Sequence, residues 1–122
     1  MIGYVTLGTH DLPRAVKFYD DLLGPLGIKR VMDLGRGHAW SGGPGQPMLL
    51  VMTPFDQQPA ASGNGTMTAL VCSSNAQVDE CHARALALGG KDEGPSGERM
   101  PGFYAGYFRD LDGNKLCFFK MG

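Results

Sequence analysis

Residues 4–30, YVTLGTHDLPRAVKFYDDLLGPLGIKR, decide the fold. Tyr4–Leu7 is rich in β-branched and aromatic residues and reads as a strand. Leu12, Ala15, Val16, Tyr19, Leu22 and Leu23 then recur at helical spacing and form one apolar helix face. Asp11 is placed to cap that helix. Pro13 sits in its first turn, where a missing N–H costs nothing. Gly24-Pro25 stops it.

Outward from this βα unit, Lys29–Asp33, Gly37–Ser41 and Pro47–Thr53 read as three short strands separated by glycine-rich turns. Residues 54–65, PFDQQPAASGNG, hold many turn formers and no periodicity, as in a linker or a mobile loop. The plan then repeats. Thr66–Cys72 is a strand, and Ser74-Asn-Ala-Gln77 has the pattern of a capping box. Val78, Cys81, Ala85 and Leu88 share a helical face, which Gly89-Gly90 ends. A glycine-rich loop, 92–102, precedes strands at Phe103–Arg109 and Lys115–Lys120. Superposed, Tyr4 falls on Met67 and Gly27 on Gly90. Toward the last strands the offset lengthens, so that Leu50 lies near Cys117. Two copies of one β-helix-β-β-β unit predict an α+β fold of two βαβββ modules, about 1–53 and 66–122, in one domain spanning 1–122.

With 122 residues, 43% hydrophobic and 19% charged, the composition suits a globular protein. A net charge of −1 without a basic block argues against nucleic acid as a partner. No apolar run approaches the ~20 residues of a membrane span, and the N-terminus lacks the pattern of a secretory signal. Cys72, Cys81 and Cys117 are odd in number and form no CxxC pair, so reduced thiols in a cytoplasmic protein are the simple expectation.

The stretch YFRDLDGNKLCFFK, 107–120, carries two acids, a glycine and an asparagine. An EF-hand loop needs glycine sixth and glutamate twelfth, but from Asp110 the glycine comes fourth and Met121 twelfth. Asp112-Gly113-Asn114 between two aromatic β-rich runs is instead a hairpin turn.

The opening VTLGTHDLPRAVKFYDDLLGPLGIKR resembles the first βα unit of the vicinal-oxygen-chelate superfamily, which includes glyoxalase I, bleomycin-resistance proteins and extradiol dioxygenases. The closing PGFYAGYFRDLDGNKLCFF is similar to its last strand pair, with Leu111 in place of the proline of a D-P-D-G-N turn. The resemblance implies curved mixed sheets facing a shared cleft, often completed across a homodimer. In metal-using members, ligands come from the first and last strands of each module and are His, Glu or Gln. Tyr4 and Met67 stand here at the first-strand positions, Cys117 at the final one, and Leu50 (or Leu49 or Val51) at the remaining one. A phenol, a thioether, a thiol and an aliphatic chain do not form such a site. The expectation is therefore no metal and no cofactor.

Among the other candidates, His10 reads as a capping or solvent-facing residue and His82 as a surface residue. His38 and Trp40 share a strand face, which is either the cleft or not. Tyr4, Met67 and Cys117 either fill a core or line an apolar pocket with a few polar handles, to which Trp40, Phe103 and Tyr107 could add flat surface. Alternation sets Tyr104 opposite Phe103 and Tyr107. Arg99, in a loop able to close over a cleft, either clamps an anion or is solvated. Cys117 lacks a visible base partner, and no catalytic residue is assigned. The resemblance leaves a metal-independent binding protein for a small molecule, with a glyoxalase-like lyase or a dioxygenase relative using a non-standard site as the alternative.

Overall fold

The computed structural model describes residues 1–122. The chain divides into two compact units, Met1–Ser62 and Gly63–Gly122. Unit 1 contains β1 (Tyr4–Gly8), α1 (Leu12–Leu23), a 3-10 turn (Gly24–Leu26), β2 (Lys29–Asp33), β3 (Gly37–Ser41) and β4 (Met48–Met52). Unit 2 contains β5 (Thr68–Val71), α2 (Asn75–Ala87), β6 (Lys91–Met100), β7 (Phe103–Arg109) and β8 (Lys115–Met121). The sheets run β1-β4-β3-β2 and β5-β8-β7-β6. In each, the first strand pairs in parallel with the last and the other pairs are antiparallel. The α+β architecture of two β-helix-β-β-β units is thus the one the sequence repeat predicts.

Both helices start as their sequences dictate. Asp11 accepts a hydrogen bond from the Arg14 amide at 3.2 Å, and Ser74 accepts one from the Gln77 amide at 3.1 Å. Gln77 closes its box one residue further back than the motif prescribes, taking the Ser73 amide at 2.8 Å. Gly27, at φ 76°, turns the chain from the 3-10 segment into β2, a conformation that glycine adopts without strain. Phe18 joins Ala15, Tyr19, Leu22 and Leu23 on the buried side of α1, and Val78, Cys81 and Ala85 are buried on α2.

Three contacts fix which sheet face each helix covers. In unit 1, Trp40 Nε1 donates to Asp20 of α1 at 3.0 Å, and its ring centroid lies 5.7 Å from that of Tyr19. The cross-strand row Arg30, Trp40, Leu49 and Val5 therefore faces α1, and Arg30 Nε confirms it with a 3.1 Å bond to the same Asp20 carboxylate. Tyr4, Thr6, Met48 and Leu50 alternate onto the helix-free face. In unit 2, Tyr104 bonds Asp79 of α2 at 2.6 Å, so Tyr104, Gly106 and Phe108 face the helix, while Phe103, Ala105, Tyr107 and Arg109 face away.

Two sequence expectations are corrected. The segment 92–102, expected as a loop able to close, is for most of its length the edge strand β6. Pro95 and the glycines fit there because an edge strand need not donate every N–H, and register shifts at Asp92/Gly94, Gly94/Gly97 and Glu98/Met100 take up the irregularity. His82, expected at the surface, is 5% exposed. Its ring lies over Gly106, and its Nε2 stands 3.0 Å from the Tyr107 carbonyl and 3.3 Å from Asp92 Oδ1. A residue with side-chain polarity could be buried on this helix face because β7 offers a carbonyl and a glycine at the point of contact.

Residues 53–61 are held against unit 1. Thr53 and Arg36 exchange backbone and side-chain bonds at 2.6 to 3.2 Å. The Arg36 guanidinium lies 5.3 Å from the Phe55 ring centroid. Ala60 approaches Gly8 so closely that a Cβ added at Gly8 would lie 3.2 Å from its methyl group.

Candidate functional site

The helix-free faces hold the positions that the resemblance singles out. On unit 1, β1 pairs with β4 so that Thr6 is opposite Leu50; on unit 2, β5 pairs with β8 so that Ala69 is opposite Cys117. Leu50 and Cys117 are thus equivalent in the repeat, and Leu49 and Val51 are excluded because their parity points them at α1. Tyr4 is exposed on β1, and Met67, exposed, immediately precedes β5.

His38 and Trp40 do share a face, with ring centroids 6.3 Å apart, but it is the α1 face. Trp40 is 0% exposed and bonded to Asp20, so it is a core residue and offers no surface to a ligand on the helix-free side. Strand parity made the pairing legible; which face it met depended on the tertiary contact with α1.

On unit 2, Tyr107 is the centre of the helix-free face. The Arg99 guanidinium lies 5.1 Å and the Lys115 ammonium 5.6 Å from its ring centroid. Arg99 Nη1 donates to the Gly97 carbonyl at 3.2 Å and Nη2 to that of Pro95, which fixes the side chain on its own strand. Phe103 and Phe119 pack nearby with centroids 6.0 Å apart. Arg109 Nε bonds Glu93 at 2.7 Å, which holds the Glu93 carboxyl below its usual range. Cys117 sits across from Tyr107 and is 1% exposed. Burial, against the smaller opposing effect of Lys115, pushes its thiol up to about 11 and so favours the thiol over the thiolate at neutral pH.

Unit 1 carries a cavity of about 390 Å³ on the corresponding side of its sheet. Its lining includes Thr6 and Gly8 of β1, Met52 of β4, Arg36, and Phe55, Asp56, Pro59 and Ala60 of the following segment. Sequence reading missed these residues, although Thr6 and Gly8 alternate with Tyr4 and could have been found by parity. It also missed Lys115 and Arg109, which alternate with Cys117 and Tyr107 in the same way.

A divalent ion of the kind used by metal-dependent relatives would need imidazole or carboxylate at these strand positions. Tyr4, Leu50, Met67 and Cys117 supply none. No group of three or more His, Cys, Asp or Glu side chains elsewhere is placed to hold a metal. Of the turn acids, Asp110 is committed to the turn itself: it accepts from the amides of Asp112 and Asn114 at 2.9 Å each and from Asn114 Nδ2 at 2.9 Å.

The fold and the strand positions define the class. The family model for the Glyoxalase/Bleomycin resistance protein/Dioxygenase superfamily matches residues 1–118, and the chain belongs to that superfamily. Among solved structures it is similar to a glyoxalase/bleomycin resistance protein from Albidiferax ferrireducens T118, with 37% identity, a TM-score of 0.89, and 98% and 97% of the two chains covered. It is also similar to a lactoylglutathione lyase from Agrobacterium tumefaciens, with 28% identity, a TM-score of 0.71, and 98% and 92% covered. A glyoxalase/bleomycin resistance protein/dioxygenase family enzyme from Burkholderia phytofirmans PsJN, at 16% identity and a TM-score of 0.79 over 98% of both chains, shares the fold. No curated protein matches the sequence. No helix is long and apolar enough to cross a membrane.

Proposed function

We propose that this superfamily member binds a small organic molecule without a metal ion, on the helix-free faces of its sheets. The observation that carries this reading is the donor set. The strand positions that would supply ligands bear Tyr4, Leu50, Met67 and Cys117, none of which is the imidazole, carboxylate or amide that the family's metal-using members place there. Support comes from the unit 1 cavity of about 390 Å³, within the size range of small-molecule sites, whose lining mixes apolar residues such as Met52 and Phe55 with the polar Thr6, Arg36 and Asp56. Tyr4, Met67, Phe103, Tyr107 and Arg99 are the proposed contact residues on these faces, with Cys117 buried beneath Tyr107's side of the sheet, and His38 and Trp40 lie on the α1 face instead. The proposal includes a cytoplasmic homodimer. Val71 and Met121, 72% and 63% exposed, are apolar residues that a partner subunit could cover.

A glyoxalase-like enzyme is the second reading, favoured by the 28%-identical relative that bears the name lactoylglutathione lyase. Without His, Glu or Gln at these positions, the polarisation of substrate oxygens by a metal lacks the family's ligand set in this chain. The test is a fragment screen by amide chemical-shift mapping, run with and without a chelator. Fragments that shift β1, β4, β7 or β8 amides equally in both conditions support binding without metal. Shifts abolished by the chelator would return the metal-dependent enzyme to first place.

A further inference from the structure

The charges on unit 2 are unequally divided between its two faces. The acids of β6 mostly turn toward α2: Asp92 lies 3.3 Å from His82, and Glu98 is opposite Tyr104, which faces the helix. Four of the five basic residues of the sheet lie on the other side, Lys120 opposite Tyr104 being the exception. Arg99 and Lys115 both stand over the Tyr107 ring, and Lys91 pairs across from Arg109. Glu93 is the acid bonded into this group, and it is taken up by Arg109 at 2.7 Å. Arg99 has given two N–H groups to backbone carbonyls and keeps others free to donate, since a guanidinium carries five. A chain with a net charge of −1 therefore concentrates cations around one tyrosine, beside the strand position of Cys117.

We propose that the ligand of this face is a small organic anion, its carboxylate or phosphate held by Arg99 and Lys115 beside Tyr107. The inference rests on the proposed small-molecule site and names its ligand class. A fixed guanidinium suits a planar or tetrahedral oxyanion, and the neighbouring ammonium adds a point charge. A cationic ligand would meet Arg99 and Lys115 together and would be repelled, so a cationic drug does not fit the face.

The test uses matched fragments built on a shared naphthalene or phenyl core, each core carrying a carboxylate, a phosphate, a carboxamide or an ammonium group. Amide shifts locate each fragment and titration gives its Kd. The anionic members are expected to shift Arg99, Tyr107 and Lys115, to bind at least about tenfold tighter than the carboxamides, and to weaken as salt rises. Lys115→Gln and Arg99→Gln should each remove that preference without shifting the amides of α2, which reports that the unit stays folded. If the carboxamides or ammonium compounds bind this face as well as the anions, the small-molecule site stands and the anion class is overturned. If no fragment binds either helix-free face, the site and the inference both fall. Anions that bind with the same Kd in both variants would likewise contradict the proposal.

Discussion

His82 Nε2 lies 3.0 Å from the carbonyl oxygen of Tyr107, whose side chain occupies the opposite face of the same strand. The buried side of α2 and the basic face of unit 2 are therefore joined through one residue of β7. Gly106 makes the approach possible, because a Cβ there would lie 2.9 Å from the His82 ring. Gly106→Ala is expected to destabilise the protein by about 1–3 kcal/mol through overpacking. Urea denaturation would measure it, and an unchanged midpoint would show that His82 relaxes freely.

Trp40 Nε1 and Arg30 Nε share the Asp20 carboxylate at 3.0 and 3.1 Å. Trp40→Phe keeps most of the buried ring and loses one hydrogen bond to a carboxylate, a cost of about 1.5–3 kcal/mol. Ligand affinity on the helix-free faces should not change. A tenfold loss of affinity in a folded Trp40→Phe variant would place this residue in the site after all.

Asp110 holds the β7–β8 turn through three bonds to residues 112 and 114. Asp110→Ala leaves the Asn114 amide and side chain short of a partner in a buried setting, at a cost of about 1–3 kcal/mol. Thermal unfolding measures the loss. Calcium should not raise the melting temperature of the parent protein, because the carboxylate oxygens that would bind it already accept from the turn.

The Cys117 thiol is raised by burial from its ordinary 9.0 to about 11. The unfolded chain releases this proton first, so stability is intact below about pH 9 and is lost as pH rises toward 11. Over that interval the contribution is about 2–3 kcal/mol, at 1.36 kcal/mol per pH unit of displacement. Denaturant unfolding at pH 8 to 11 should show a shallower decline in Cys117→Ala than in the parent. Equal slopes would mean that the thiol ionises alike in both states.

The fold was readable because each of its determinants is local. Asp11 and Ser74 cap where their sequences say, and Ala15, Tyr19, Leu22, Leu23, Val78, Cys81 and Ala85 are buried as their spacing predicts, whereas Leu12, Val16 and Leu88 are only half-buried and Phe18 is buried in addition. The repeat also placed Leu50 against Cys117, which the strand registers bear out. What escaped the sequence depended on contacts distant along the chain. His82 is buried by a glycine on β7, and β6 reads as loop because an edge strand with bulges tolerates proline and glycine. Parity joined His38 to Trp40 and could have joined Lys115 to Cys117. It could not tell which face α1 covers, since that depends on the pairing of Trp40 with Asp20.

On the proposed function, the strand positions Tyr4, Leu50, Met67 and Cys117 do not retain a metal. The direct measurement is metal content by elemental mass spectrometry. The untagged protein is incubated with zinc, nickel, manganese and iron(II), then desalted. Metal well below one ion per chain is expected for every element. One equivalent retained through desalting, and lost on substitution of Tyr4 or Cys117, would contradict it.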